Sequence, residues 1–388
     1  MRLEGLRAGI EGRQPKRVVD VVMWRMYDVE DFLESDLRKR RRHPKALVER
    51  ALDRLHAATT PKIGRLAHSK PTPLRLPARY WRADVPDPAP SISIVTPSYR
   101  QGRYIERTIF SVVGQHYPQL EYVVQDGGSG DETVEVLRHH EAEIASWESA
   151  PDSGMSAALN AGFARTSGEI MAYLNSDDLL LPGSLAYVAR YFAEHPDVDV
   201  VYGNRVLIDS GDRNVGVWVL PRHHDEALSL LDYVPQETLF WRRRIWDAVG
   251  GAFDPAFKFA VDWDLLLRFR EQGATFAHVP HFLGAFRVHD GQKTQRQEVL
   301  GDLECNRLRR RVHGRQVSTE EAGSRLVRYR RRHVRAHLRQ RLLDRLPLAR
   351  REVQTVPENA WLRTPQAQAR EIADAARSKR RTAGASEH

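Results

Sequence analysis

The chain has 388 residues, 41% of them apolar and 29% charged, with a formal net charge of +9. These values are ordinary for a soluble protein with a sizeable core. No run of about 18 apolar residues occurs, which excludes a transmembrane helix. The single cysteine, Cys305, excludes an intramolecular disulfide and a Cys-rich zinc site.

Charge divides the chain into three sections. Residues 1–89 carry a net +8, residues 90–300 a net −11, and residues 301–388 a net +12. The division predicts a basic helical N-terminal extension with a Pro-rich linker (1–89), a central domain (90–300) and a basic helical C-terminal extension with a disordered tail (301–388). The start of the chain lacks the apolar stretch of a secretory signal, so a cytoplasmic location is expected.

In the first section Val18, Val21, Val22, Met26 and Val29 recur at helical spacing, and Ala46, Leu47, Ala51, Leu52 and Leu55 predict a second helix. Six prolines from Pro71 to Pro90 then mark the linker. The β-rich run Ser91–Thr96 stops at Pro97, and Ile105, Ile109, Val112 and Val113 predict a helix after it. Strand-like Leu120–Val124 leads into a Gly-rich loop and a helix through Val134 and Leu137. Ala157–Ala164 predicts another helix, before the apolar run Ile170–Leu174. Alternation of strands and helices argues an α/β fold with a mostly parallel sheet. Ligands bind beyond the carboxyl ends of such strands, where Thr96, Asp126 and Asp177 all fall.

The adjacent acids of Asn175-Ser176-Asp177-Asp178 are the sharpest chemical signal. Neighbouring carboxylates repel each other, so a fold tolerates them best with a cation between them. Hard oxygen ligands suit Mg²⁺ or Mn²⁺ shared with substrate phosphates. A plainer role is open to Asp178 as cap of the helix introduced by Pro182-Gly183-Ser184. Gln125-Asp126-Gly127-Gly128-Ser129-Gly130-Asp131 suits either close approach to a ligand or an ordinary turn capped by Asp131. Asn160-Ala161-Gly162 has the composition of a helix end. Asp262-Trp263-Asp264 has that of a helix start complementing the dipole. Arg287-Val288-His289 offers two cationic groups to phosphate oxygens, and Gln236-Glu237-Thr238 before a strand is ambiguous.

Taken in order, these motifs resemble a family 2 glycosyltransferase of GT-A fold over roughly residues 90–295. The resemblance rests on Ser93-Ile94-Val95-Thr96-Pro97-Ser98-Tyr99, Gln125 to Ser129 with Asp131 and Thr133, Asp152-Ser153-Gly154 with Ala158 to Gly162, Asn175 to Asp178, Gln236, Gly250 to Asp254, Asp262-Trp263-Asp264-Leu265 and Phe286 to His289. It implies a Rossmann-like, mostly parallel central sheet flanked by helices, and inverting transfer of a sugar from a nucleotide diphosphate, usually a UDP-sugar, to a hydroxyl. It implies that Thr96, Pro97 and Tyr99 line the nucleotide pocket and that Asp126 bonds the base. Asn160 and Gln236 belong to the same donor site. Asp177 and Asp178 would bind Mg²⁺ or Mn²⁺ on the diphosphate, Arg287 and His289 would lie near that diphosphate, and Asp262 would be the general base. Asn175, Gly127 and Val261 depart from the acids that many relatives carry there.

Competing possibilities are a nucleotidyltransferase and an inactive GT-A-like binding protein. The expected partners are a nucleotide-sugar donor and a saccharide or lipid-linked saccharide acceptor, as in bacterial surface polysaccharide or glycolipid synthesis. The Arg-rich C-terminal section suits either a solvated face or peripheral attachment to an anionic membrane surface. No nucleic-acid module accompanies the charge, so no nucleic-acid partner is expected.

Overall fold

A computed structural model describes residues 69–82, 84–289, 298–343 and 353–356. The helices expected at 18–29 and 46–55 and the tail at 364–388 lie outside the described residues. In chain order the elements are β1 (Arg75–Pro77), β2 (Ile92–Ser98), α1 (Gly102–Val113), β3 (Leu120–Asp126), α2 (Thr133–His139), β4 (Ser146–Ser149), α3 (Met155–Phe163), β5 (Ile170–Tyr173), β6 (Leu179–Leu180), α4 (Ser184–Glu194), β7 (Val200–Ile208), β8 (Asn214–Trp218), α5 (Asp225–Leu230), β9 (Leu239–Arg242), α6 (Arg243–Ala248), α7 (Val261–Glu271), β10 (Phe276–Arg287), α8 (Glu298–His313), α9 (Thr319–Leu343) and β11 (Val353–Thr355).

Nine strands form one sheet in the order β4-β3-β2-β5-β9-β7-β10-β6, with β8 on β7. Strands β4, β3, β2 and β5 are mutually parallel, and β7 runs parallel to β10. β9 lies antiparallel between β5 and β7 and joins these two parallel groups. β6 and β8 are also reversed. The expected mostly parallel α/β sheet is therefore present, with three reversed strands.

Both faces of the sheet centre are covered, which is why β2, β5, β7 and β9 are buried along their whole length rather than on alternate residues. In β3, Tyr122 and Val124 pack with Ile105, Ile109 and Leu185 from α1 and α4, while Val123 packs on the opposite face with Leu159, Phe163 and Met171. Close approach explains two glycines. A Cβ on Gly162 of α3 would sit 2.4 Å from Val95 Cγ1, and one on Gly284 of β10 would sit 2.4 Å from the Glu237 carbonyl oxygen.

The Pro-rich stretch does more than link. β1 pairs antiparallel with β11, and Leu74, Leu76 and Tyr80 pack with Leu179, Ile208, Ala285 and Val356. Tyr80 stacks on His281 at 4.0 Å, and its hydroxyl accepts from the Phe282 amide at 2.9 Å. Prolines stop helices and ladders, but leave intervening apolar side chains free to pack. On the C-terminal side, the boundary at residue 300 falls inside α8. Leu308 of α8 and Tyr329 of α9 join the same core cluster as Trp241 and Trp263. Among the described residues no helix is long and apolar enough to cross a membrane.

Candidate active site

The parallel register of β2, β3 and β5 brings their carboxyl ends to one edge, with Ser98 beside Asp126. Strand β2 runs through Pro97 to Ser98, past the stop expected from the proline. Tyr99 follows, 56% exposed, and lies against Gly127. Pro97 is buried. Thr96 turns inward, where its hydroxyl pairs with the Tyr122 hydroxyl at 3.0 Å, so it does not line the pocket with its side chain.

Asp126 is fully buried, and its carboxylate accepts from the Gly128 and Ser129 amides (3.1 and 2.8 Å) and from the Ser129 and Ser149 hydroxyls (both 2.6 Å). Those donors hold the Gly-rich loop in shape around the Asp126 carboxylate. Asp131 bridges two helix starts, accepting from the Gly102 amide of α1 at 3.1 Å and the Thr133 amide of α2 at 3.2 Å. Asn160 lies on α3. Its amide clamps the Phe253 backbone, donating to the carbonyl at 2.9 Å and accepting from the N–H at 2.8 Å.

The loop after β5 carries the paired acids. Gln236 donates to the Tyr173 carbonyl at 2.6 Å and accepts from Asn175 at 2.9 Å, so it holds this loop instead of facing a ligand. Asp178 is 1% exposed, and its Oδ1 accepts from the Arg287 amide at 2.9 Å. Burial, Asp177 and Glu237 push its carboxyl well above the usual carboxylate range. Asp178 does not cap α4, whose N-cap is Gly183 in a left-handed conformation. Arg287 is fully buried too. Its guanidinium donates to the Asp177 and Asp209 carbonyls (2.8 and 3.0 Å), pairs with Asp212 and covers the Tyr104 ring. It is a strut under the loop that carries Asp177 and Asp178. Asp177 remains at the surface, with its side chain 18% exposed and Oδ2 3.0 Å from His289 Nε2.

Across the cleft, Asp262 opens α7 and accepts from the Trp263 amide at 3.0 Å. Burial dominates its environment and pushes its carboxyl up to about 6. Three further charged groups lie near this point, of which Arg205 and Asp232 are absent from the sequence-based expectations. Glu237 and Arg205 form a two-pronged pair, Nε to Oε1 at 2.7 Å and Nη2 to Oε2 at 2.5 Å. Asp232 follows α5. Its carboxyl is pushed well above the usual range by burial and by Asp262, and its buried Oδ1 has no hydrogen-bond partner. A charged Arg205 inside the otherwise apolar Val200–Ile208 was a usable sequence signal, whereas nothing local distinguishes Asp232. The two sides meet electrostatically at the buried Tyr173. After burial, Asp262, Asp232, Asp178 and Glu237 each raise its hydroxyl pKa.

The loop before Asp262 is fastened from the C-terminal section. Glu304 of α8 accepts from three consecutive amides, Lys258 (3.0 Å), Phe259 and Ala260 (both 2.9 Å). Asp264 is pinned by Arg268 and by Arg311 of α8. Trp263 donates to the Leu228 carbonyl at 2.8 Å and ties α7 to α5. The section expected to be a separate extension thus frames the acidic cleft.

A nine-stranded α/β sheet with acids gathered beyond its strand ends defines a group-transfer cleft. The description Glycosyl transferase family 2 matches residues 93–266. An uncharacterized glycosyltransferase of Mycobacterium tuberculosis is 31% identical over 186 residues, covering 46% of this chain and 69% of that protein. A PGL/p-HBAD biosynthesis glycosyltransferase of Mycobacterium bovis is 27% identical over 184 residues, covering 46% and 70%. Among solved structures, S. aureus TarS 1–349 in complex with UDP-GlcNAc aligns with TM-score 0.48 and 17% identity, covering 63% of this chain and 72% of that one. The chain spans 43% of another, longer TarS structure. The chain belongs to glycosyltransferase family 2, with a GT-A type fold, and is a glycosyltransferase.

Proposed function

We propose that the protein transfers a sugar from a nucleoside-diphosphate donor to a hydroxyl acceptor with inversion, using Asp262 as the general base. The observation that supports this reading is that Asp262 and Asp178, 84 positions apart in the chain, both lie close enough to the buried Tyr173 to raise its hydroxyl pKa. A carboxyl raised to about 6 is ionised yet still basic near neutral pH, which suits proton removal from an attacking alcohol. The acceptor oxygen forms the new bond to the anomeric carbon as the bond to the diphosphate breaks, and the acceptor proton passes to Asp262. One displacement with one base inverts the centre, unlike the double displacement of retaining hydrolases. Tyr99, exposed beside Gly127, is the surface on which the donor base would rest, with Pro97 buried behind it.

The donor set fits a hard divalent cation only as a shared site. Asp177 is the partly exposed carboxylate, with buried Asp178 and its like charge behind it. Among the described residues no group of three His, Cys, Asp or Glu side chains is arranged to hold a metal alone. Mg²⁺ commonly takes one or two carboxylates and completes its shell with phosphates and waters. Asp177 would be its protein ligand, with His289 orienting that carboxylate. Bound there, Mg²⁺ or Mn²⁺ would supply Lewis-acid stabilisation of the departing diphosphate. The acceptor class we favour is a saccharide or lipid-linked saccharide.

A thermal-shift screen with Mn²⁺ tests the reading. A UDP- or GDP-sugar at about 100 times its Kd should stabilise the protein by roughly 2.7 kcal/mol. Asp177→Asn should abolish the Mn²⁺-dependent part. A preference for nucleoside triphosphates, or no nucleotide effect, would overturn it.

A further inference from the structure

Between α5 and α9 lies a cavity of about 580 Å³, to which none of the candidate active-site residues contributes. Its wall is formed by Arg325, Arg328, Arg331, Arg332 and Arg335 from successive turns of α9. The acid in that wall, Glu226, is already held by Arg325 at 2.9 Å. Among the described residues the other four guanidiniums have no carboxylate partner. Positions three and four apart share one helix face, so these like charges repel one another across about two turns. All four are solvent-exposed, and together they line one open concavity beside α5.

We propose that this cavity is a binding site for a multiply charged phosphate group, recognised by Arg328, Arg331, Arg332 and Arg335. Guanidinium groups bind phosphate oxygens through paired, charge-assisted hydrogen bonds, and several together select for more than one negative charge. Such an anion removes the repulsion along α9. Glycosyl transfer does not use this chemistry, because the cavity lies outside the cleft of Asp177 and Asp262. The phosphate could belong to a soluble polyanion or to a lipid headgroup. Exposed Leu338 and Leu342 stand one heptad beyond Arg331 and Arg335 on the same face, which gives the headgroup source an apolar neighbour. The site also touches function. The cavity wall includes Glu226 of α5, the helix that Trp263 and Arg309 grip through the Leu228 and Leu230 carbonyls.

The test uses the full chain with two probes, inorganic tripolyphosphate followed by calorimetry, and vesicles of phosphatidylcholine with or without phosphatidic acid, whose phosphomonoester can carry two charges, followed by co-sedimentation. Wild type should bind at least one probe at 150 mM salt on the order of tenfold more tightly than Arg331→Glu/Arg332→Glu. Arg310→Glu, an exposed charge reversal on α8 outside the cavity, should bind as wild type does. The milder Arg331→Gln/Arg332→Gln should show an intermediate loss, which separates lost recognition from lost folding. Tripolyphosphate binding that survives excess UDP assigns a soluble source, and binding only to anionic vesicles assigns a headgroup. Equal binding by wild type and both double variants, tripolyphosphate binding displaced by UDP without any anionic-vesicle binding, or preference for an oligonucleotide over both probes would overturn the proposal.

Discussion

On the β2–β5 side, the Gly-rich loop is held largely by atoms close in sequence: Asp126 by Gly128 and Ser129, and Asp131 by Thr133. The loop of Asp177 and Asp178 is tied besides to Arg287 and His289 at the end of β10. On the β7–α8 side the partners are remote: Arg205 with Glu237, Glu304 with the amides of 258–260, and Asp264 with Arg311. The Gly-rich loop of the first side is mostly a local turn. The second side is assembled only when α5, α7 and α8 pack together. The base-bearing side should therefore be the more fragile to single substitutions, and the donor side the more tolerant.

The largest effect expected is at the buried ion pair. Glu237→Gln leaves the Arg205 charge buried without its partner, which costs about 3–5 kcal/mol. Denaturant unfolding measures it, and a loss below about 1 kcal/mol would show that the pair is not a keystone of that side. Next comes Glu304→Ala, which strips the acceptor from three amides. Leaving buried donors unsatisfied costs about 1–3 kcal/mol, and a fall in Tm of roughly 5 °C is expected for a domain of this size. Turnover should drop while donor affinity holds, because the displaced loop leads to Asp262. An unchanged kcat with the same fall in Tm would make Glu304 a purely structural contact. The smallest effect is at Asp178→Asn. The amide oxygen can still accept from the Arg287 N–H, and one of two adjacent charges is removed, so stability should stay within about 0.5 kcal/mol of wild type. A loss above about 2 kcal/mol would contradict the view that this side is the more tolerant.

The same contrast explains what the sequence disclosed. Strands β2, β3 and β5 and helices α1 to α3 were legible because apolar periodicity and Gly-Pro punctuation are local signals. The acids at 177, 178 and 262 were legible as motifs in a fixed order. Their division of labour was not. Thr96, Asp126, Asn160, Gln236 and Arg287 were expected at the ligand, yet each spends its polar atoms on neighbouring backbone or side chains, a fact set by three-dimensional proximity. Asp232 and Glu304 carry no local signature at all, since their importance comes from which helices pack beside them. The packing of 74–82 was hidden because proline density masked three apolar anchors.

The account turns on Asp262 as a half-buried base whose carboxyl is pushed up to about 6. Its folded-state pKa of about 6 exceeds the ordinary carboxylate value near 4. The folded protein therefore holds that proton more tightly than the unfolded chain does. The resulting stability is full below about pH 4 and declines as pH rises through about 6. Asp262→Asn should accordingly be at least as stable as wild type at pH 8. The decisive measurement is transfer rate against pH for both proteins with saturating donor. Wild type should gain activity through an acid limb near pH 6, and Asp262→Asn should fall by about 10²–10⁴-fold across the range while still binding donor. Near-normal turnover in Asp262→Asn, with the acid limb unchanged, would contradict the account.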